Sequence, residues 1–358
     1  MRADIFCRVV DNFGDIGVCW RLARRLSQGH GWQVRLWVDD LHAFARLQAE
    51  VDPALARQRV QQIDIVDWND LTELEPGDVV IEAFACDPPA LFLAAMRKRP
   101  PVWINLEYLS AEAWVETCHG LPSQRADGLV KHFFFPGFTP ATGGLIREPS
   151  LSQERDALQA SRPAQDAFLR RLGVTRRDAD SRTLTLFCYP QAPYLELAQA
   201  LSRQTTLLIV PEGVAPGLAS TPGLQIARIP FVAQPDFDRL LWCADLNFVR
   251  GEDSFVRAAW AARPLVWQIY PQEENAHLEK LNAWLARYPA PPAARALFSL
   301  WNQETGSARW PDTLHAALEG RAWEQWKQAA RDWDAGFAAR PDLGDALVDF
   351  CADLAKTR

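Results

Sequence analysis

The sequence predicts an α/β protein made of two doubly wound units with parallel sheets. Three observations carry this. The chain has 358 residues, long for one domain and comfortable for two. Short apolar strands alternate with amphipathic helices over roughly the first 110 residues. A second alternation begins near residue 183, after a stretch rich in proline and glycine. Hydrophobic residues make up 48% of the chain, so each half can bury a core, and the ordinary charged fraction of 23% gives no sign of disorder.

Element by element, ADIFCRVV (3–10) reads as a buried strand. IGVCWRLARRL (16–26) follows as a helix with Ile16, Cys19, Leu22, Ala23 and Leu26 on one face. Then come the strand WQVRLWV (32–38), a helix near 41–49, and the strands IDIVDW (63–68), DVVIEAFA (78–85) and PVWINLEYL (101–109). Residues 119–150 are rich in loop formers, with Pro122, Pro136, Gly137, Pro140, Gly143, Gly144 and Pro149, and form the candidate interdomain region. That region contains the exposed-looking aromatic run KHFFFPGF (131–138). Without a basic amphipathic helix beside it, burial in the loop is favoured over membrane contact.

A helix near 163–172 ends at Gly173. In the second alternation TLTLFCYP (183–190) is a strand, and Pro193 opens the helix YLELAQALSR, because proline suits a first turn. TTLLIVPEG, LQIARIPF, DLNFVRGE and PLVWQIYP are further strands, with helices near 235–243, 254–262 and 273–287. The tail from about 312 is helical and carries Trp323, Trp326 and Trp333. Two such sheets side by side leave a cleft at the strands' carboxyl ends, where folds of this kind bind ligands.

Composition excludes several functions. The net charge is −7 and the arginines are scattered, so no basic stripe tracks a phosphate backbone and a nucleic-acid partner is not expected. A basic protein partner suits this field better. The seven cysteines stand singly, mostly in apolar contexts, as free thiols do in a reducing compartment. Arg8 and Asp11 interrupt the first apolar run too early for a secretory signal, and no stretch reaches membrane-span length. A cytoplasmic protein without membrane attachment is expected. His277 lacks metalloprotease spacing and reads as part of a solvated helix face, and Cys118 beside His119 is not metal spacing. The serine-hydrolase elbow and the phosphate-binding P-loop are absent.

The first chemical motif is DNFGDIG (11–17), between the first strand and the first helix. This is the place of a dinucleotide fingerprint, but only Gly14 and Gly17 are present, and Asp11 and Asp15 flank Gly14. Two carboxylates repel a pyrophosphate, so a cation, or a proton to be removed, is the better guest. The plain alternative is that Asp15 caps the helix and Asp11 or Asn12 makes a turn. Capping and catalysis are compatible, since a helix start favours the ionised carboxylate that a base needs.

The second motif is NFVRGEDSFVRAAWAARPLVWQ (247–268). A strand ends, R-G-E-D-S turns, and a helix opens at Ser254, whose neighbouring amides with Arg250 make an anion site suited to a diphosphate. Glu252 and Asp253 are wrong for phosphate and suit sugar or ribose hydroxyls. The plain alternative is a helix capped by Ser254 or Asp253, with Arg250 in a weak surface ion pair. Upstream, Phe187 and Tyr189 end one strand, and Phe231 and Phe237 bracket Gln234. Aromatic faces stack on bases, although core packing is the usual fate of any one phenylalanine.

With DNFGDIGVCWRLARRL at its start and VRGEDSFVRAAWAARPLVWQIYPQ near its end, the chain resembles the bacterial protein-arginine rhamnosyltransferases that modify an arginine of translation elongation factor P. Neither motif shows a departure. The resemblance spans nearly the whole chain and implies a GT-B fold, two facing Rossmann-like domains. Residues 1–150, with a final helix at about 337–358, would receive the protein acceptor. Residues 151–336 would hold the donor, dTDP-β-L-rhamnose. It implies an inverting reaction without metal or other cofactor, activating elongation factor P for rescue of ribosomes stalled at polyproline. By motif position Asp15 would be the general base or guanidinium receptor, supported by Asp11 within the loop Asp11–Asn12–Phe13–Gly14, and Glu252 would act near the sugar. Arg250, Gly251, Asp253 and Ser254 would serve the diphosphate and adjacent groups. Phe187, Phe231 and Phe237 would enclose the thymine, Gln234 would read its edge, and Tyr189 and Tyr270 would reach the diphosphate. Competing readings are a GT-B transferase with a carbohydrate or lipid acceptor, a two-lobed ligand-binding protein without catalysis, and a nucleotide-responsive interaction protein.

Overall fold

The computed structural model describes residues 1–10, 13–70, 72–271, 276–302 and 309–356. The chain divides into two units, Met1–Pro149 together with Phe337–Arg358, and Ser150–Gly336.

The first unit runs β1 (Arg2–Cys7), α1 (Gly14–Arg24) with a π-helical turn at Arg25–Gly29, β2 (Gln33–Val38), α2 (Leu41–Leu47), β3 (Arg57–Val60) and β4 (Ile63–Asp67). It continues with β5 (Val79–Ala83), α3 (Ala90–Lys98), β6 (Val102–Leu106), α4 (Trp114–Cys118), β7 (Pro122–Gln124) and β8 (Val130–Phe134). Its strand order is β3-β4-β2-β1-β5-β6-β8-β7. The pairs from β4 through β8 are parallel, and the edge strands β3 and β7 pair antiparallel with β4 and β8. β5 and β6 are buried along their whole length, as near-continuous apolar runs are when helices cover both faces.

The stretch 119–150 is not simply a connector. It supplies β7 and β8, and the aromatic run lies on and just after β8, with Phe134, Phe135 and Phe138 buried. Two short strands among prolines and glycines leave no periodic signal, whereas the parallel register of β8 on β6 is a tertiary pairing. A buried charge braces the left of this sheet. Asp4 accepts hydrogen bonds from Arg35 Nε at 2.7 Å, Trp37 Nε1 at 2.9 Å and Gly77 N at 2.7 Å.

The second unit begins with α5 (Leu151–Gln159) and α6 (Arg162–Arg171), followed by β9 (Arg182–Leu186), α7 (Tyr194–Leu201), β10 (Thr206–Pro211) and β11 (Leu224–Ile229). Then come α8 (Gln234–Cys243), β12 (Leu246–Arg250), α9 (Asp253–Trp260) and β13 (Leu265–Gln268). It closes with α10 (Ala276–Arg287), α11 (Pro292–Asn302), α12 (Trp310–Leu318) and α13 (Gly320–Ala338). The sheet order is β11-β10-β9-β12-β13, all parallel. His277 is buried on α10, not on a solvated face. Its helix packs an aromatic cluster in which Trp284 stacks on Tyr288 at 4.6 Å and meets Phe255 edge-on at 5.1 Å.

The last helix, α14 (Leu343–Lys356), belongs to the first unit. Asp342 caps it, accepting from Gly344 N at 2.7 Å and Asp345 N at 3.3 Å. The other Asp342 oxygen receives Arg25 Nε at 2.9 Å and Nη2 at 2.8 Å from the π-helical turn. Further along, Phe350 packs on Phe134 at 5.4 Å.

Candidate active site

In an open parallel sheet the binding crevice forms at the carboxyl ends of the strands, where the chain order reverses direction. In the second unit that point lies between β9 and β12, because β10 and β11 continue to one side and β13 to the other. Phe187 and Tyr189 follow β9, and Arg250 ends β12. Phe187 N–H donates to Phe248 O at 2.9 Å, fixing the two strand ends side by side. The Arg250 guanidinium lies 4.8 Å over the Tyr189 ring, and Nη1 donates to Cys188 O at 3.2 Å. Tyr189 meets Tyr270, just past β13, edge-on at 5.5 Å, and Tyr189 N–H donates to Gln268 Oε1 at 2.8 Å. Tyr270 is 53% exposed, while Tyr189 is buried. One cation and two phenols thus converge where three strands end.

Gly251 turns the chain after β12 with φ of +65°, a conformation that disfavours any side chain. Its carbonyl receives Trp267 Nε1 at 2.8 Å. Glu252 is the N-cap of α9 but makes no side-chain cap bond, and Asp253 and Ser254 form the first helical positions. Neither Asp253 nor Ser254 is therefore the cap, and Arg250 is held by the Tyr189 face and a backbone carbonyl, not as a mere surface ion pair. α8 also starts without a side-chain cap, with Gln234 as its first residue, buried, and Pro235 next. Phe237 on α8 packs edge to face on Phe187 at 4.9 Å. Phe231, on the loop before α8, is 52% exposed.

A buried ion pair sets the two helix starts. Arg257 Nε and Nη2 grip Asp238 Oδ1 and Oδ2 at 2.9 and 2.7 Å. Asp238 lies one turn into α8 from Gln234, and Arg257 one turn into α9 from Asp253. No local sequence pattern relates these two positions, which lie 19 residues apart.

In the first unit the order reverses between β1 and β5. Asp11 and Asn12 lie outside the described residues. Phe13 is the N-cap of α1, without a side-chain cap bond, and Gly14 is the first helical residue. Asp15 is not the cap. It sits inside the first turn, 2% exposed, and its Oδ2 accepts the Val10 N–H at 2.9 Å. Tyr108 donates its hydroxyl to Asp15 Oδ1 at 3.3 Å, and the Tyr108 ring stacks on Phe84 at 4.2 Å. Phe84 follows β5 and Tyr108 follows β6, so adjacent strand ends deliver all three side chains. Beneath them, burial first, then Cys19 and the Asp15 charge, push the Cys7 thiol well above its ordinary range, so it stays a thiol. A cavity of about 550 Å³ elsewhere in this unit lies at the opposite strand ends, beside Arg2, Arg35 and Arg57. Arg35 is engaged by Asp4, and Arg57 by Asp70 and Glu73.

The model of the family described as Elongation-Factor P (EF-P) rhamnosyltransferase EarP matches residues 3–352. The chain belongs to this family. It is 49% identical to the protein-arginine rhamnosyltransferase of Pseudomonas putida over 97% of each chain. It is 48% identical to the enzyme of that name from Pseudomonas aeruginosa over 98% of each. A solved structure that gives the structural basis for EarP-mediated arginine glycosylation of translation elongation factor EF-P superposes with a TM-score of 0.66 at 34% identity, covering 98% of this chain and 99% of that one. Acinetobacter baumannii MurG, at 13% identity and a TM-score of 0.57, covering 98% of this chain and 99% of its own, shows the fold alone.

The α/β architecture with parallel sheets and the GT-B fold are as the sequence indicated. As an EarP-family member the chain is an enzyme, a glycosyltransferase of the protein-arginine rhamnosyltransferase class. The reading as a ligand-binding protein without catalysis falls with that, as does the one with a carbohydrate or lipid acceptor. Two residues at the EarP-family switch point, Phe84 and Tyr108, escaped the sequence reading. Each stands directly after a recognisable strand, and that position was the available signal.

Proposed function

We propose that the enzyme transfers rhamnose from dTDP-β-L-rhamnose to an arginine of translation elongation factor P, with inversion at the anomeric carbon, in the cytoplasm. The first unit takes the protein acceptor and the second the donor. The observation that supports this is the distribution of charge at the two switch points. An aspartate buried to 2% exposure stands at one, and an arginine beside a helix start whose N-cap side chain makes no cap bond stands at the other.

A guanidinium is cationic and a poor nucleophile, and with a pKa above about 12 it is almost never neutral in water. Asp15, with Asp11, grips it through paired N–H donors and aims one terminal nitrogen at the anomeric carbon. As the nitrogen–carbon bond forms, the bond from that carbon to the diphosphate oxygen breaks. The nitrogen's proton passes to Asp15, and dTDP departs. Arg250 and the first amides of α9 neutralise the growing diphosphate charge, so the reading needs no metal. Glu252 acts near the sugar, and Gly251 lets the backbone turn beside it. Asp253 and Ser254 serve the diphosphate side, and Tyr189 and Tyr270 reach it. Phe187, Phe231 and Phe237 enclose the thymine while Gln234 reads its edge. The product is elongation factor P activated for rescue of ribosomes stalled at polyproline.

The test is incubation of the enzyme with unmodified elongation factor P and a panel of nucleotide sugars, read by mass spectrometry. A single rhamnose increment on an arginine, with dTDP-rhamnose only and undiminished by chelator, is the expected result. Turnover with a different sugar, or an increment on another residue type, refutes the assignment. Asp15→Asn is expected to bind donor normally and to lose transfer by at least about a hundredfold, the scale of general-base catalysis.

A further inference from the structure

The loop after β5 is strained. Phe84, Ala85 and Asp87 have φ of 58°, 54° and 53°, a region that residues with a side chain avoid. Three such residues within four positions persist only where surrounding bonds hold them, and such clusters gather at functional sites. The bonds are present. Phe84 N–H donates to Leu106 O at 2.7 Å and Cys86 N–H to Ala83 O at 3.2 Å. Ala85 N–H donates to Oδ1 of the buried Asn105 at 3.1 Å. The strain places the Phe84 ring parallel to Tyr108, 4.2 Å away and tilted by 13°. Tyr108 in turn sets its hydroxyl on Asp15 Oδ1 while remaining 41% exposed. A large aromatic with one side stacked and much of its surface open, bonded to a buried carboxylate, is unusual as packing, because tyrosines ordinarily bury the ring and expose the hydroxyl.

We propose that Tyr108 is the positioning residue for Asp15 and the aromatic shelf on which the acceptor guanidinium lies. The hydroxyl fixes one carboxylate oxygen, and the Val10 N–H fixes the other. The carboxylate plane is thereby set before substrate arrives. The exposed ring surface offers a planar, weakly hydrated cation a π face beside its counter-ion. Phe84 backs the ring so that it does not swing away. The inference rests on the reading of Asp15 as the acceptor's receptor.

Three variants of the full chain separate the possibilities, assayed with dTDP-rhamnose and elongation factor P: Tyr108→Leu, Tyr108→Phe and Asp15→Asn. Tyr108→Leu is expected to raise the acceptor KM by at least about tenfold, the scale of a desolvated cation–π contact, with donor KM unchanged. Tyr108→Phe restores the shelf and not the hydroxyl. Its acceptor KM is expected within about twofold of the parent and its kcat down about fivefold, the scale of one hydrogen bond. Should Tyr108→Leu fail to fold, the Tyr108→Phe split between kcat and KM still decides. Inactive Asp15→Asn beside a parent-like Tyr108→Leu overturns both the shelf and the positioning role, and an equal rise in both KM values overturns the shelf. Parent-like Tyr108→Phe kcat overturns the positioning role. Normal turnover by Asp15→Asn removes the underlying reading of Asp15 itself.

Discussion

Replacing Asp238 by alanine removes the bidentate carboxylate held by the guanidinium of Arg257, whose side chain is 2% exposed. Placement decides the magnitude. An exposed pair contributes about 0–1 kcal/mol, but removing one partner of a buried pair leaves an uncompensated charge and costs about 3–5 kcal/mol. For a unit of this size that lowers Tm by roughly 6–20 °C. The loss also has a functional edge, because the pair ties α8 to α9 one turn below Gln234 and Asp253. Nucleotide affinity is expected to fall by at least about tenfold, as helix starts that must now be ordered by the ligand draw on its binding free energy. Thermal unfolding followed by circular dichroism, with dTDP titrated by calorimetry, measures both. The double variant Asp238→Leu with Arg257→Met is expected to regain most of the stability, since an apolar pair of similar volume fills a buried site as well as an ionic one. An Asp238→Ala protein melting within about 2 °C of the parent would refute the claim that this pair holds the helices.

Phe237→Ala removes the edge-to-face partner of Phe187 and is expected to weaken dTDP binding by about 5- to 150-fold, from a stacking contribution of about 1–3 kcal/mol, as read by calorimetry. Gly251→Ala forces a side chain into positive φ and should destabilise the second unit by about 1–2 kcal/mol in urea unfolding. His119 accepts the Phe135 N–H on Nδ1 at 3.0 Å, so it is held neutral, and burial pushes its pKa below the ordinary 6.5. Below that value the unfolded chain takes up the proton first. The contribution of His119 to stability is thus flat above about pH 6.5 and falls from there towards the lowered folded pKa. His119→Asn, which keeps an acceptor without a titrating ring, should flatten that slope in urea unfolding measured from pH 7.5 to 5.5.

Much of this architecture is legible in apolar periodicity. The face of Ile16, Cys19 and Leu22 on α1 is buried, and the long strands of both sheets fall where alternation and turn residues put them. The amphipathic helices α3, α5 and α11 also went unassigned, but the rest of what escaped is what periodicity does not encode. β7 has three residues and β3 four, too short for a pattern, and both exist because a neighbouring strand pairs with them. Asp15 has the residue type of a cap, yet its carboxylate turns back to Val10, a contact that helix propensity does not encode. His277 looked polar in a charged run, but the aromatic cluster of α10 and α11 draws that face inward. At the candidate site the acidic turn and the R-G-E-D-S turn were visible because single segments carry them. The Asp15–Tyr108–Phe84 triplet was not, because sheet order alone makes positions 15, 84 and 108 neighbours.

The docking of α14 on the π-helical turn has a consequence for biosynthesis. The first unit is written in two pieces separated by the whole second unit, so a ribosome has emitted residue 336 before it begins the segment that satisfies Arg25. Until then that arginine and the aromatic patch of Phe134 and His119 await Asp342 and Phe350. The second unit can close on itself as it emerges, while the half that is translated first is completed last. A nonsense codon anywhere in the second unit therefore deprives both units, the finished-looking one included.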